Sequence, residues 1–333
     1  MMIWPKRVLL GLAGLVALIV AGGTIYEQIA RHEARTRHEP PGRLIDIGGR
    51  MMHLDCRGHG APLVVLEAGL DTNGSISWSA VHDRLAANVR TCAYDRAGIM
   101  WSKSKSTPQD GEAVAMDLHR LLAAAGETGP FVMVGHSLGG PYVMNFARLY
   151  GDDVAGIVFV DASHPDQAKR FKSAGMPAAA PSRTQSLLAA LGWSGLVRWM
   201  VPPDDFPGIP ADASDAAAAY IPTSFGSAWK EVEALDRTLD QAGKLRDLGD
   251  RPLVVLTGAK PLPMTVMAQA GFSPAQAATQ AAVWKRLHDE EAAWSRRSRH
   301  EIVTDAGHYI QFERPDVVIH AILDVVAQVR DKH

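Results

Sequence analysis

The stretch Phe131-Val132-Met133-Val134-Gly135-His136-Ser137-Leu138-Gly139-Gly140 decides how the rest of the chain is read. Its first four residues form a short apolar run of the kind found in a strand buried on both faces. A Gly-His-Ser-Leu-Gly turn follows, and residues 141–149 have helical character. Strand, tight turn and helix in that order suit a nucleophile elbow, in which a serine is held on a sharp, strained turn with its hydroxyl above the sheet. Gly135 and Gly139 fit the places where a Cβ crowds such a turn. A five-residue pattern also arises by chance in a glycine-rich chain, so Ser137 stands as a candidate nucleophile whose reading depends on what else the chain supplies.

The 333 residues are 47% hydrophobic and 21% charged, a globular composition with enough apolar material for a sizeable core. The formal net charge of -2 and the lack of a long basic run interleaved with aromatics point away from nucleic acid and towards small-molecule chemistry. The two cysteines, Cys56 and Cys92, form no CxxC pair, which argues against a cysteine-built zinc site.

Lys6 and Arg7 precede an uncharged apolar run over residues 8–26, long enough to cross a bilayer at roughly 20 residues per span. We read residues 1–27 as a transmembrane signal anchor or a signal peptide. Retention as an anchor is the leading reading, because a buried core helix normally shows a polar face. Cleavage at the small residues Ala21 and Gly23 is the alternative. Basic residues flank the run on both sides, so charge does not fix its orientation. A short tail ahead of a large C-terminal portion favours a membrane-anchored protein whose catalytic domain is exported to the periplasmic or extracellular side. Residues 28–42, mostly charged and ending in Pro40-Pro41-Gly42, read as a linker.

From residue 43, strands and helices alternate. Residues 44–47 and 50–56 around Gly48-Gly49 suggest a hairpin. Buried strands are expected at 63–66, 91–94, 131–134 and 155–160, with helices at 79–88, 110–125 and 141–149. That order argues for a mostly parallel sheet with helices on both faces, and ligands of such sheets sit at the carboxyl ends of strands. The pattern breaks over residues 163–250, rich in alanine, proline and tryptophan, where a helix is expected over 227–241. It resumes with a strand at 252–256, a helix over 275–297, a strand at 301–303 and a last helix over 315–329. The core therefore comprises residues 43–162 and 251–333, with a helical segment, residues 163–250, inserted between them.

A serine hydroxyl needs a base to take its proton, and the base needs a third group to orient and stabilise it. His308 lies in the loop Asp305-Ala306-Gly307-His308-Tyr309 after the last strand, late enough in chain order to serve Ser137 as base. With Gly-His-Ser-Leu-Gly-Gly at 135–140, the hairpin, a glycine after the third strand, the helical insertion and Gly-His-x-x-x-x-Glu-x-Pro at 307–315, the chain resembles the α/β-hydrolase fold superfamily from about residue 42 onward. That resemblance implies an eight-stranded sheet with an antiparallel second strand, and a helical lid inserted after strand 6.

In much of that superfamily the acid follows the seventh strand, but here that strand runs into Thr257-Gly258-Ala259-Lys260-Pro261. Asp161, directly after the sixth strand, occupies the alternative position used by relatives such as haloalkane dehalogenases, and we assign it as the partner of His308. A turn or cap carboxylate is its competing role; Asp305 is too near His308 along the chain to face its ring. The oxyanion hole is expected from the backbone N–H groups of Leu138 and Leu70. Gly69, His136, Met100 and Trp101 are expected to contact substrate, although the Tyr94–Ser102 turn resembles a structural motif of the superfamily. Cys56 and Cys92 would lie on neighbouring strands, where a disulfide and two buried thiols are both admissible.

These readings converge on a serine hydrolase, a carboxylic-ester hydrolase above all, acting on a small-molecule acyl substrate without a metal or organic cofactor. An acyltransferase, an aminopeptidase or a carbon–carbon bond hydrolase would use the same triad. A catalytically silent, membrane-tethered binding protein on this scaffold is the alternative of a different class. Neither the substrate nor the oligomeric state is written in these motifs.

Overall fold

The computed structural model describes residues 4–176, 183–202, 209–261 and 273–331. Eight strands form one sheet: β1 (Arg43–Asp46), β2 (Met51–Arg57), β3 (Leu63–Glu67), β4 (Thr91–Tyr94), β5 (Phe131–His136), β6 (Val154–Val160), β7 (Leu253–Gly258) and β8 (Ser298–Val303). Their order is β1-β2-β4-β3-β5-β6-β7-β8. β2 runs antiparallel to both neighbours, and every pair from β4 to β8 is parallel. The expected α/β architecture, a mostly parallel eight-stranded sheet, is the one observed.

The unbroken apolar runs mark strands covered on both faces. Along β3, β5, β6 and β7, Leu63, Val65, Phe131, Met133, Ile157, Phe159, Leu253 and Val255 point into one core. Their alternate neighbours Val64, Leu66, Val132, Val134, Val158, Val160, Val254 and Leu256 point into the other. Helices α3 (Gly111–Ala125) and α4 (Gly139–Leu149) cover the first face, and α2 (Ser79–Ala86) and α12 (Pro315–Arg330) the second. At roughly 25 cal/mol per Å² of apolar surface removed from water, these two layers supply the main driving force for folding. α3 begins where Asp110 accepts the Ala113 N–H at 3.0 Å, an N-cap that satisfies one donor left free by the first turn.

Between β6 and β7 the chain forms the cap helices α5 (Gln167–Ser173), α6 (Arg183–Ala190), α7 (Leu196–Met200), α8 (Ala211–Glu233) and α9 (Leu235–Ala242); residues 177–182 and 203–208 of the expected lid lie outside the described residues. The helix expected over 227–241 is two helices joined at Ala234. After β7 come α10 (Pro274–Ala292), then β8, α11 (Ile310–Glu313) and α12.

One expectation is corrected at the N-terminus. The residues read as a linker from residue 28 continue α1 (Trp4–Arg37) without a break. Glu27 and Arg31 form an i,i+4 ion pair at 2.8 Å, and Ala34 is buried beside Ala216, Ala217 and Tyr220 of the cap. Charged composition marked solvent, but a helix with one face on the cap needs polar residues on its other faces. α1 is long and apolar enough to cross a membrane, and none of its most apolar 18-residue window is buried.

Cys56 and Cys92 face each other across β2 and β4 and are joined by a disulfide, with Cα atoms 4.0 Å apart.

Candidate active site

Ser137 stands between β5 and α4 with φ of +51°, in the left-handed region that bulky L-residues seldom adopt. The turn closes because its neighbours lack side chains. A Cβ on Gly135 would meet the Gly139 carbonyl at 2.7 Å, and one on Gly139 would meet the Glu67 carbonyl oxygen at 2.5 Å. The backbone is pinned on both sides, since the Ser137 N–H donates to Val160 O at 3.3 Å and its own carbonyl accepts from Ser163 N at 2.8 Å.

β6 delivers Asp161 beside this turn, also at positive φ, +45°. The loop after β8 delivers His308. Its Nδ1 lies 2.7 Å from Asp161 Oδ2 and its Nε2 3.0 Å from Ser137 Oγ. A buried carboxylate accepts only, so Nδ1 carries the proton and Nε2 presents its lone pair to the serine hydroxyl. The other carboxylate oxygen of Asp161 accepts from the Gly258 N–H at 2.9 Å and the Trp284 Nε1–H at 3.0 Å. Burial would push the Asp161 carboxyl up. The hydrogen bond and charge of His308, helped by His288 and Trp284, outweigh it and hold the carboxyl below its ordinary value.

The glutamate of the Gly-His-x-x-x-x-Glu-x-Pro segment has a visible task. Glu313 Oε1 accepts the Gly307 N–H at 2.9 Å and Oε2 pairs with Lys260 at 2.7 Å, tying the loop that carries His308 to the end of β7. His136 holds the same loop from below, with Nε2 3.0 Å from the His308 carbonyl oxygen. Burial, then the neighbouring His308, pushes the His136 imidazole down to about 3, so it is a neutral donor. His136 is thus buried and structural in its contacts, although it was expected against substrate.

Gly69 lies against Ser137: a Cβ there would come within 3.0 Å of the Ser137 Cβ and 2.9 Å of His136 Nδ1. Leu70 and Leu138, the residues expected to supply the oxyanion hole, pack in one cluster with Val114, Tyr142 and Leu239. Met100 and Trp101 are not brought there. They line a cavity of about 800 Å³ beside Arg31, Arg35, Tyr220 and Lys230, which neither Ser137 nor His308 lines. The Trp101 Nε1–H donates to His38 O at 2.8 Å.

Three supports of the site carry no short-range signal in the sequence. Trp284 reaches Asp161 from a helix 123 residues away. Thr257 Oγ1 stands 2.6 Å from His288 Nδ1 and 2.7 Å from His300 Nε2. His288 Nε2 lies 2.8 Å from Ala162 O, and His300 Nδ1 2.9 Å from Asp289 Oδ1, so a row of polar groups runs from the surface to the residue after Asp161. Finally, Arg96 is buried beneath the loop after β3. Its Nη1 and Nη2 donate to the carbonyls of Ala68 and Gly69 at 2.8 and 2.6 Å, and its Nε and Nη2 form a fork on Glu231 of α8 at 2.9 Å each. A pairing across 135 residues has no pattern to find; only the Asp95-Arg96-Ala97-Gly98 turn hinted at a role.

His164, Asp166 and Glu290 cluster closely enough to suggest a metal site. Most of these groups are engaged by protein: His164 Nδ1 accepts the Asp166 N–H at 3.0 Å, Asp166 pairs with Arg246 at 2.9 Å and Glu290 with Arg170 at 2.8 Å, while His164 Nε2 is buried without a hydrogen bond.

A serine, histidine and carboxylate at three strand ends of a mostly parallel sheet define a hydrolase scaffold. The chain belongs to the alpha/beta hydrolase family, whose model matches residues 52–321. By sequence it is 23% identical over 172 residues to the uncharacterized protein YbdG of Bacillus subtilis strain 168, covering 51% of this chain and 53% of that one. The chain thus spans about half the length of that relative. Among solved structures it resembles a thermophilic esterase from Thermogutta terrifontis, with TM-score 0.58, 20% identity and coverage of 84% and 94%. It also resembles an epoxide hydrolase from Bacillus megaterium, with TM-score 0.60, 16% identity and coverage of 86% and 100%. Likeness at such identity speaks for the shared fold.

Proposed function

We propose that this protein is a serine hydrolase that cleaves an ester or similarly activated acyl compound. The observation that carries the reading is His308, placed between Ser137 Oγ and Asp161 Oδ2 at 3.0 and 2.7 Å. Ser137 Oγ attacks the acyl carbon while its proton passes to His308 Nε2, and the charged imidazole is stabilised by Asp161. The tetrahedral oxyanion is held by the backbone N–H groups of Leu70 and Leu138, donors aimed where charge develops. The leaving group takes the proton from His308 Nε2 as its bond to carbon breaks, leaving the acyl on Ser137. A water deprotonated by the same nitrogen then attacks the acyl carbon, releases the acid and restores the serine. Chemistry that begins from a carboxylate nucleophile is disfavoured, because the elbow carries Ser137. A fluorophosphonate probe tests this: wild type is labelled and Ser137→Ala is not, and equal labelling of the two sinks the assignment.

We further read α1 as a retained anchor that places the catalytic domain on the exported side of a membrane. The Cys56–Cys92 disulfide suits an oxidising compartment. Full-length protein should stay in the membrane fraction at alkaline pH; its release removes the anchor.

A further inference from the structure

α1 does not separate from the folded body at the end of its apolar run. At Gly23 the cap loop presses onto the helix so closely that a Cβ would stand 2.4 Å from Ser194 O. At Glu27 the carboxylate is fully buried; it accepts from Arg198 Nε at 3.0 Å and Arg31 Nε at 2.8 Å. Arg31 Nη2 also donates to Gly192 O at 2.7 Å. Residues 192–198 are therefore clamped to a segment of α1 that starts inside the apolar run. With a rise of 1.5 Å per residue, Gly23 lies about 5 Å inside the end of that run at Tyr26. Whatever apolar medium surrounds residues 8–26 reaches the cap loop as well.

The cap presents large apolar side chains around that contact. Trp199 is 83% exposed, Leu187 60%, Met200 48% and Trp193 45%. Trp193 and Trp199 bracket the Gly195–Arg198 contact with α1 in sequence. Tryptophan, with an apolar body and a polar edge, favours the headgroup level of a bilayer. The adjoining cavity of about 800 Å³ is lined by Trp193 together with Arg35 and Lys103, two exposed cations. Neither has an acidic partner among the described residues, which suits them to lipid phosphates.

We propose that the cap face formed by Leu187, Trp193, Trp199 and Met200 lies in the headgroup region of the bilayer that α1 crosses, making the cap a second membrane contact for anionic phospholipid. This rests on reading α1 as a retained span. A protein partner would need no contact between the cap loop and Gly23, inside the apolar run; a bilayer around that run meets the loop there.

The test uses the full chain in phosphatidylcholine–phosphatidylglycerol bilayers with the native disulfide intact. A nitroxide is placed at Trp199→Cys or Leu187→Cys, with Ile25→Cys on α1 and the exposed Asp152→Cys as lipid and water references. The accessibility ratio of oxygen to a nickel chelate at 199 and 187 should exceed that at 152 severalfold and approach that at 25. Ratios at 199 and 187 equal to that at 152, with a lipid-like value at 25, overturn the proposal and leave the span standing. A water-like value at 25 overturns both.

Discussion

At the residue scale, Ser137 and His308 are legible because each lies in a motif whose chemistry needs the neighbours it has: glycines that let the elbow close, and a glutamate that ties down the histidine loop. Asp161 was reached by elimination and strand position. Its supports were out of reach, because Trp284 and Gly258 matter only through the fold that brings them to one carboxylate oxygen. Asp161→Asn keeps the shape but removes the acceptor that fixes the His308 tautomer. Turnover should fall by roughly 10⁴-fold with little change in KM, measured by steady-state kinetics on an activated ester; near-normal turnover moves the role elsewhere. The row Asp289–His300–Thr257–His288–Ala162 O adds a second expectation. Its inner end needs a donor to the Ala162 carbonyl, so His288 carries its proton on Nε2 and takes the Thr257 hydroxyl proton on Nδ1. Thr257→Val leaves His288 Nδ1 buried without a donor, a loss of about 1–3 kcal/mol in denaturant unfolding that Thr257→Ser should largely restore.

At the scale of elements, the parallel sheet was readable from the apolar runs of β3, β5, β6 and β7, since a strand buried on both faces has no polar alternation to show. The extent of α1 was not, because its polar half owes its order to contacts with a cap far away in sequence. The hairpin end of the sheet should respond to pH. His53 is buried, with Nδ1 2.8 Å from Asp95 Oδ2 and Nε2 on the Pro41 carbonyl. Burial would lower its pKa; the charge and hydrogen bond of Asp95, then Pro41 and Asp55, raise it above 6.5. A raised folded-state value means stability fully present below pH 6.5 and lost as pH rises through the folded value. Thermal unfolding across that range should show the decline, and His53→Gln should flatten it. The link between β2 and β4 closes a loop of 36 residues. Reduction, or Cys56→Ala with Cys92→Ala, should cost roughly 2–4 kcal/mol by chemical unfolding, with Ser137 chemistry retained in the folded fraction.

At the scale of the whole molecule, cap and core meet through charge as well as apolar contact. Glu231 on α8 and Glu67 on β3 share Arg96, and all three are buried. Removing one partner of such a group strands the others and is expected to cost about 3–5 kcal/mol. Glu231→Ala should therefore lower both the melting temperature and kcat, and Arg96→Lys should lower both as well, because an ammonium cannot make the fork and reach two carbonyls at once. A variant that melts normally and turns over normally defeats this reading. The same guanidinium ties a distant helix to the loop after β3: α8 cannot move outward without breaking the Glu231 fork, while Glu67 keeps its own hold on Arg96 from the sheet side. Any displacement of the cap at α8 is thereby felt by the group that grips the Ala68 and Gly69 carbonyls.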